Sequence, residues 1–280
     1  MANYVRPTGL AEALSALSPD AQIAAGCTDL FPATTRQVLP GRTVDITGIA
    51  DLRGISRTID GWRIGGATTW SDIVRSDLPA AFDGLKRAAR EVGSVQIQNA
   101  GTIGGNLCNA SPAADGVPPL LTLNASVELA SLGGVRQVPL PEFLQGVRRT
   151  AIKPGEILTA VLVPDCGGLA TFLKLGARKY LVISIAMVAA RIRAQDGIIC
   201  EAALAVGSCS AVATRLARAE GALLGVPVKG AAEVLSDDLI CPALSPISDI
   251  RGDGQYRAHA ACELLRRAVG ELAAESGVSP

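Results

Sequence analysis

The chain holds one histidine among 280 residues, His259. It falls inside a segment of helical spacing near the C-terminus, where it reads as a structural or surface residue and not as an acid–base catalyst. Excess charge is absent as well: Lys+Arg and Asp+Glu both count 26, so the formal net charge is zero. Binding a phosphate backbone needs a long-range positive field, so nucleic acid is excluded as an expected partner. No apolar run approaches the roughly 18 residues of a membrane span, and "MANYVRPTGLAEALSAL" lacks a basic region followed by a secretory apolar stretch. A cytoplasmic location is the expectation. The seven cysteines, Cys27, Cys108, Cys166, Cys200, Cys209, Cys241 and Cys262, never form the close pairs that clamp zinc or iron–sulfur clusters. They read as free thiols, mostly buried, and no metal is expected on this chain. No repeat of solenoid length is visible.

What remains is a globular composition, 49% hydrophobic and 19% charged with 30 glycines and 16 prolines. The length suits two domains or one large subdivided domain. Leu10, Leu14 and Leu17 share one helical face that Thr8 can cap and Pro19 ends, ahead of the apolar "AQIAAG". With "RTVDI" this predicts a short β-α-β unit. "ADLRGISRTIDGWRIGGATT" predicts two strands about Asp60-Gly61, and Phe82, Leu85, Ala89 and Val92 mark a helix within 79–92. Strands follow at "ASVELAS", "VRQVPL" and "EILTAVLV", closing a mixed α+β unit near residue 165. Beyond residue 170, "ATFLKL", "SIAMVAARIRA" and "IICEAALAV" predict a three-stranded sheet, backed by helices in "ATRLARAEGALLG" and "YRAHAACELLRRAVGELAA".

Two segments carry chemical information. In "IAAGCTDLFP" (23–32), a strand runs into Gly26 with Thr28 and Asp29 just beyond. The segment 93–121, rich in Gly, Asn, Ser and Pro, is too long for an idle connection and is expected to be a structured, ligand-holding loop. At its centre, Gly104 and Gly105 permit unusual dihedrals or close approach and leave amides free for a phosphate, while Thr102, Asn106, Asn109 and Ser111 supply uncharged hydrogen-bonding groups. Such a set suits a dinucleotide diphosphate met by amide dipoles. Neither G-x-G-x-x-G nor G-x-x-x-x-G-K-[ST] occurs, which disfavours a Rossmann or P-loop site. A Gly-Gly pair equally suits a tight turn without ligand, and Asp29 and Asp115 invite comparison with a carboxylate pair, although their loop contexts fit hydrogen bonding better. The residues alone reach no further than a nucleotide binder.

Taken together, "AGCTDL" and "QIQNAGTIGGN" with the loop-ending Asp115 resemble the FAD-binding subunit of the xanthine dehydrogenase and carbon monoxide dehydrogenase family. "GEIL" (155–158), "FLKL" (172–175), "RKYLVISIA" and "DIRGDGQYR" (249–257) extend the resemblance across nearly the whole chain. It implies the two-part FAD-binding fold of the vanillyl-alcohol oxidase and p-cresol methylhydroxylase superfamily over 1–170, with subdomains of about 1–57 and 58–170, then a C-terminal flavoprotein domain over 171–280. The implied FAD contacts are Ile23, Ala24, Ala25, Gly26, Cys27, Thr28, Asp29 and Leu30, then Thr102, Ile103, Gly104, Gly105 and Asn106. Asn109 and Asp115 would face the ribityl and phosphate region, with Leu158 and Lys174 near the isoalloxazine. A cation at Lys174 would favour reduced, anionic flavin.

The resemblance further implies iron–sulfur and molybdenum-cofactor partner subunits, a dimer of heterotrimers, and hydroxylation of an N-heterocycle or aldehyde by the assembly. Two positions depart from the family pattern: Cys27 replaces a common glycine and Gln98 a usual arginine. The rival readings are a stand-alone flavoprotein oxidoreductase and a scaffold subunit that has lost flavin affinity.

Overall fold

A computed structural model describes residues 4–35 and 39–276. The first unit is a parallel sheet of β1 (Tyr4–Val5), β2 (Gln22–Ala24) and β3 (Thr43–Asp45), ordered β1-β3-β2, with helix α1 (Leu10–Ala16) linking β1 to β2. The expected β-α-β unit is present, but Thr8 does not cap its helix. Gly9 holds the N-cap position with no side-chain bond, and Glu12 reaches back to accept from the Thr8 amide at 3.1 Å.

The second unit is an antiparallel five-stranded sheet. It contains β4 (Ile55–Thr58), β5 (Gly61–Gly65), β6 (Ser126–Ser131) and β7 (Gly134–Pro139). A small hairpin of β8 (Leu144–Gly146) and β9 (Arg149–Thr150) precedes its central strand β10 (Ile157–Pro164), and the sheet order is β4-β5-β10-β6-β7. Five short helices cover it: α2 (Trp70–Arg75), α3 (Asp83–Glu91), α4 (Val95–Ala100), α5 (Ile103–Asn109) and α6 (Val117–Thr122). Three of these lie in the segment read from sequence as loop. Ser94 and Thr102 cap two of them by accepting from the amides of Ile97 and Gly105, which compensates for their low intrinsic helix propensity.

The C-terminal sheet has four strands instead of three: β11 (Leu169–Leu175), β12 (Ala186–Gln195), β13 (Ile198–Gly207) and the two-residue β14 (Thr214–Arg215), all antiparallel. Residues 186–192 of β12 are buried without alternation, because both faces of the sheet are covered. On one face lies the helix Gly254–Ser276, whose Ala261, Leu265, Val269 and Leu272 share a core with Val188, Ala190 and Val206. On the other, Ala88 of α3 packs with Phe172, Met187 and Ala189.

Arginines bolt the two halves together. Arg191 Nε donates to the Thr122 carbonyl at 2.9 Å and Arg215 Nη1 to the Leu121 carbonyl at 2.8 Å, so the carbonyl end of α6 is satisfied by the C-terminal sheet. No helix among the described residues is long and apolar enough to cross a membrane.

Candidate functional site

A cavity of about 950 Å³ opens where the three sheets meet. The two glycine-bearing segments form its base. At Gly26 a Cβ would overlap the Ala100 carbonyl oxygen and lie 2.7 Å from the Gly101 Cα, so only a glycine lets these backbones touch. Just beyond, Cys27 adopts left-handed φ of +57°. The amides of Gly26, Cys27, Thr28, Asp29 and Leu30 donate to no other group among the described residues. A run of unpaired N–H groups around a left-handed residue is an anion-binding nest.

The second segment acts differently from the sequence expectation. Gly104 and Gly105 occupy the first turn of α5 without positive φ. Their amides are already used, Gly104 donating to the Gly66 carbonyl at 2.9 Å and Gly105 to Thr102 Oγ1 at 3.0 Å. Gly104 is glycine because a Cβ would lie 2.6 Å from the Gly66 carbonyl oxygen. This segment therefore supplies a wall fitted tightly to the β5 exit, and the free amides belong to the first segment. Asn106 Oδ1 is buried with no hydrogen-bond partner and lies on a residue that lines the cavity, leaving an acceptor for a ligand donor.

Of the site residues expected from sequence, all but Ala24 and Ile103 line this cavity. Those two are buried in apolar cores, at 4% and 0% exposure. Strand alternation explains the first, since Ile23 and Ala25 face the cavity and Ala24 points away. Ile103 turns inward from α5, its amide bonded to the Thr68 carbonyl at 3.0 Å.

Lys174 and Asp115 both line the cavity but are engaged with each other. Lys174 Nζ donates to Asp115 Oδ2 at 2.7 Å, and Ser184 Oγ donates to Oδ1 at 2.7 Å. Burial pushes the Asp115 carboxyl above its ordinary range, with Lys174 and Ser184 pulling against it. The lysine charge is thus largely balanced on the spot, and Asp115 is no free partner for Asp29. Asp29 is exposed and forms no side-chain bond or ion pair among the described residues.

Leu158 and Ile157 of β10 supply an apolar wall, and Leu181, Val182 and Ile183, between β11 and β12, form the edge contributed by the C-terminal half. This strip, Trp70 beneath the nest, Ile152 and Arg148 were not found from sequence. Arg148 Nη1 donates to Asn109 Oδ1, and its amide to the Ala110 carbonyl at 2.9 Å, so the β8–β9 hairpin is latched to the end of α5. Positive φ at Arg148 and Ala110 leaves no trace in a residue pattern. At the Gln98 departure, Nε2 donates to the Arg90 carbonyl at 2.9 Å and seats α4 on α3.

Comparison with known proteins agrees with this geometry. Residues 1–166 match the family model for the FAD binding domain in molybdopterin dehydrogenase, and residues 171–272 that for the CO dehydrogenase flavoprotein C-terminal domain. The chain is 31% identical to the glyceraldehyde dehydrogenase medium chain of Sulfolobus acidocaldarius, covering 97% of this chain and 98% of that one. It is 32% identical to a putative xanthine dehydrogenase FAD-binding subunit of Escherichia coli, covering 99% and 97%. Among solved structures, a Cu,Mo-CO dehydrogenase chain superposes with a TM-score of 0.88 at 31% identity, covering 97% of each chain. Quinoline 2-oxidoreductase from Pseudomonas putida 86 gives 0.88 at 29%, covering 97% and 96%. The nest, the glycine-fitted wall and the two matched halves agree: the chain belongs to the family of FAD-binding subunits of the xanthine dehydrogenase and carbon monoxide dehydrogenase type.

Proposed function

We propose that this chain is the electron-transfer subunit of a molybdenum hydroxylase assembly, receiving electrons from iron–sulfur clusters of one partner chain and delivering them to a terminal acceptor. Substrate hydroxylation, of an N-heterocycle or aldehyde, belongs to a molybdenum-cofactor subunit, in a dimer of heterotrimers within the cytoplasm. The observation that carries the reading is the row of unpartnered amides from Gly26 to Leu30, closed against Ala100–Gly101 at the base of a cavity large enough for a dinucleotide.

The residues present fit FAD. Diphosphate oxygens would accept from the 26–30 amides, and Asn106 Oδ1 would accept from a ligand hydroxyl. Leu158 and Ile157 would flank the ring system, while Leu181 to Ile183 shield it from water. When bound, FAD would supply the electron-carrying chemistry of the subunit. The chain's own task is to bind, orient and exclude solvent. Lys174, paired with Asp115, ties the C-terminal sheet to the cavity-lining segment after α5, and its influence on flavin potential would be that of a dipole more than of a bare cation. The three sheets support reading the chain as two vanillyl-alcohol oxidase-type subdomains of about 1–57 and 58–170 and a C-terminal domain of 171–280, with β4 (Ile55–Thr58) belonging wholly to the second sheet.

Flavin content, co-purification and turnover test the proposal together. Native purification should yield the chain with one flavin and with two partner chains carrying iron and molybdenum. A chain that is flavin-free and takes up no added FAD supports the scaffold reading. A flavin-loaded chain that oxidises small substrates without partners supports the stand-alone oxidoreductase.

A further inference from the structure

Among the described residues one pair of cysteine sulfurs is in contact, and neither cysteine lines the cofactor cavity. Cys241 opens a 3-10 turn (Cys241–Ala243), and Cys262 lies on the C-terminal helix; both are free thiols with Sγ atoms 3.6 Å apart. A disulfide needs about 2.05 Å, so the sulfurs must close by about 1.5 Å. We propose that Cys241 and Cys262 are a modification site, a vicinal thiol pair that hydrogen peroxide converts into a disulfide.

The two sulfurs are unequal, and the inequality assigns their roles. Cys262 is fully buried in the core between the helix and the C-terminal sheet, whereas Cys241 is half-buried at the surface of that core. Burial, then Cys241 and Asp237, disfavour the Cys262 thiolate. Peroxide therefore meets Cys241 first. The Cys241 thiolate attacks one peroxide oxygen, the O–O bond breaks, and the sulfenic acid Cys241–SOH forms with release of one water after proton uptake. Cys262 sulfur then displaces the hydroxyl, the S–S bond forms, and the Cys262 proton leaves with it as a second water. In sum two thiols and one hydrogen peroxide give one disulfide and two waters, the thiols losing the two electrons that the peroxide gains.

The bridge would close a segment that supports the cavity. Between the two cysteines lies the Asp249–Gly252 turn, whose backbone groups bond each other in both directions at 3.2 Å. Arg257, 1% exposed, ties that turn to the cavity edge: it donates to Asp249 Oδ1 at 2.6 Å, to the Ile185 carbonyl at 2.6 Å and to the Ser208 carbonyl at 3.0 Å. Ile185 lies two residues beyond the Leu181–Ile183 strip. Stapling residues 241 and 262 would remove freedom from the unfolded segment and hold this support in place.

The full chain is exposed to a few-fold molar excess of hydrogen peroxide, blocked with iodoacetamide, digested without reductant and analysed by mass spectrometry, beside an untreated sample melted in parallel. Expected are a Cys241–Cys262 cross-linked peptide that dithiothreitol resolves, and a melting temperature several degrees higher after oxidation. Both should be absent in Cys262→Ser. If that core substitution fails to fold, Cys241→Ser on the surface turn provides the same comparison. Recovery of both cysteines as separate carbamidomethyl or sulfinic forms in oxidised wild-type protein overturns the proposal.

Discussion

Lys174 Nζ and Asp115 Oδ2 lie 2.7 Å apart with both side chains less than a tenth exposed, a buried ion pair joining the C-terminal sheet to the cavity-lining segment after α5. Removing the cation alone leaves a carboxylate without a counter-charge. Lys174→Ala should destabilise the chain by about 3–5 kcal/mol in urea unfolding, and Lys174→Met with Asp115→Asn should recover most of the loss. Equal destabilisation by the single and double variants would refute the pairing argument.

The same pair has a pH signature. Burial holds the Asp115 carboxyl above its unfolded value while Lys174 lowers it, so deleting the lysine raises it further. Above the unfolded pKa, the folded variant then binds a proton that the unfolded chain has released, and folding gains as pH falls. The difference in urea midpoint between wild type and Lys174→Ala should shrink from about pH 7 to about pH 5. A constant or widening difference would count against a buried, titrating Asp115.

Cys27 holds left-handed φ of +57°, and burial, assisted by the Asp45 charge, pushes its thiol up, so it is a protonated residue in a glycine's conformation. Cys27→Gly should relieve a left-handed cost of about 1–2 kcal/mol, less about 0.5–1 kcal/mol of added chain entropy. Flavin retention should be unchanged and the melting temperature about 2–4 °C higher for each kcal/mol gained. A lower melting temperature would show that the side chain supplies packing that outweighs the strain.

Gly26→Ala inserts a methyl group where Ala100 backbone already lies. The two segments must separate, which spreads the amide nest, so the folded variant should purify with flavin content near zero. Gly221→Ala, with open space around its Cβ position on the solvent side of the helix Ala217–Leu223, should keep full flavin content and gain up to about 1 kcal/mol. Normal flavin occupancy in Gly26→Ala would remove the nest from the account.

Arg257 serves four acceptors from one buried guanidinium, including the carbonyls of Ile185, Ser208 and Gly252. Lysine cannot reproduce that fork, so Arg257→Lys should cost about 2–4 kcal/mol despite keeping the charge. Thermal and urea unfolding that match wild type would show these bonds to be replaceable by water.

Individual elements were legible in the sequence: β4 to β7, β10, β11 to β13 and the C-terminal helix follow from apolar spacing and turn residues, whereas the pairing of five strands into one sheet does not. Elements fixed by distant partners were not. Helices α4 and α5 form in Gly- and Asn-rich sequence because Ser94 and Thr102 cap them and because Ile103 and Gly104 dock on the backbone of Thr68 and Gly66. β14 is two residues long and exists only beside β13. The expected site residues, Ala24 and Ile103 apart, come together on one cavity, but the roles of the two segments differ from the sequence reading: the Gly-Gly pair suggested free amides, whereas those amides are spent on the fold and the free ones flank Cys27. Asp115 and Lys174 are 59 residues apart, and nothing in local pattern reveals that they meet.

The carbonyl end of α6, held by Arg191 and Arg215, and the cavity lined from both sides are shared property of the two halves. A molecule bound there is a clasp: its affinity and the cohesion of the halves are one linked free energy, so each kcal/mol of binding resists their parting. Loss of cofactor and loosening of the C-terminal half are, on this architecture, linked, so that each promotes the other.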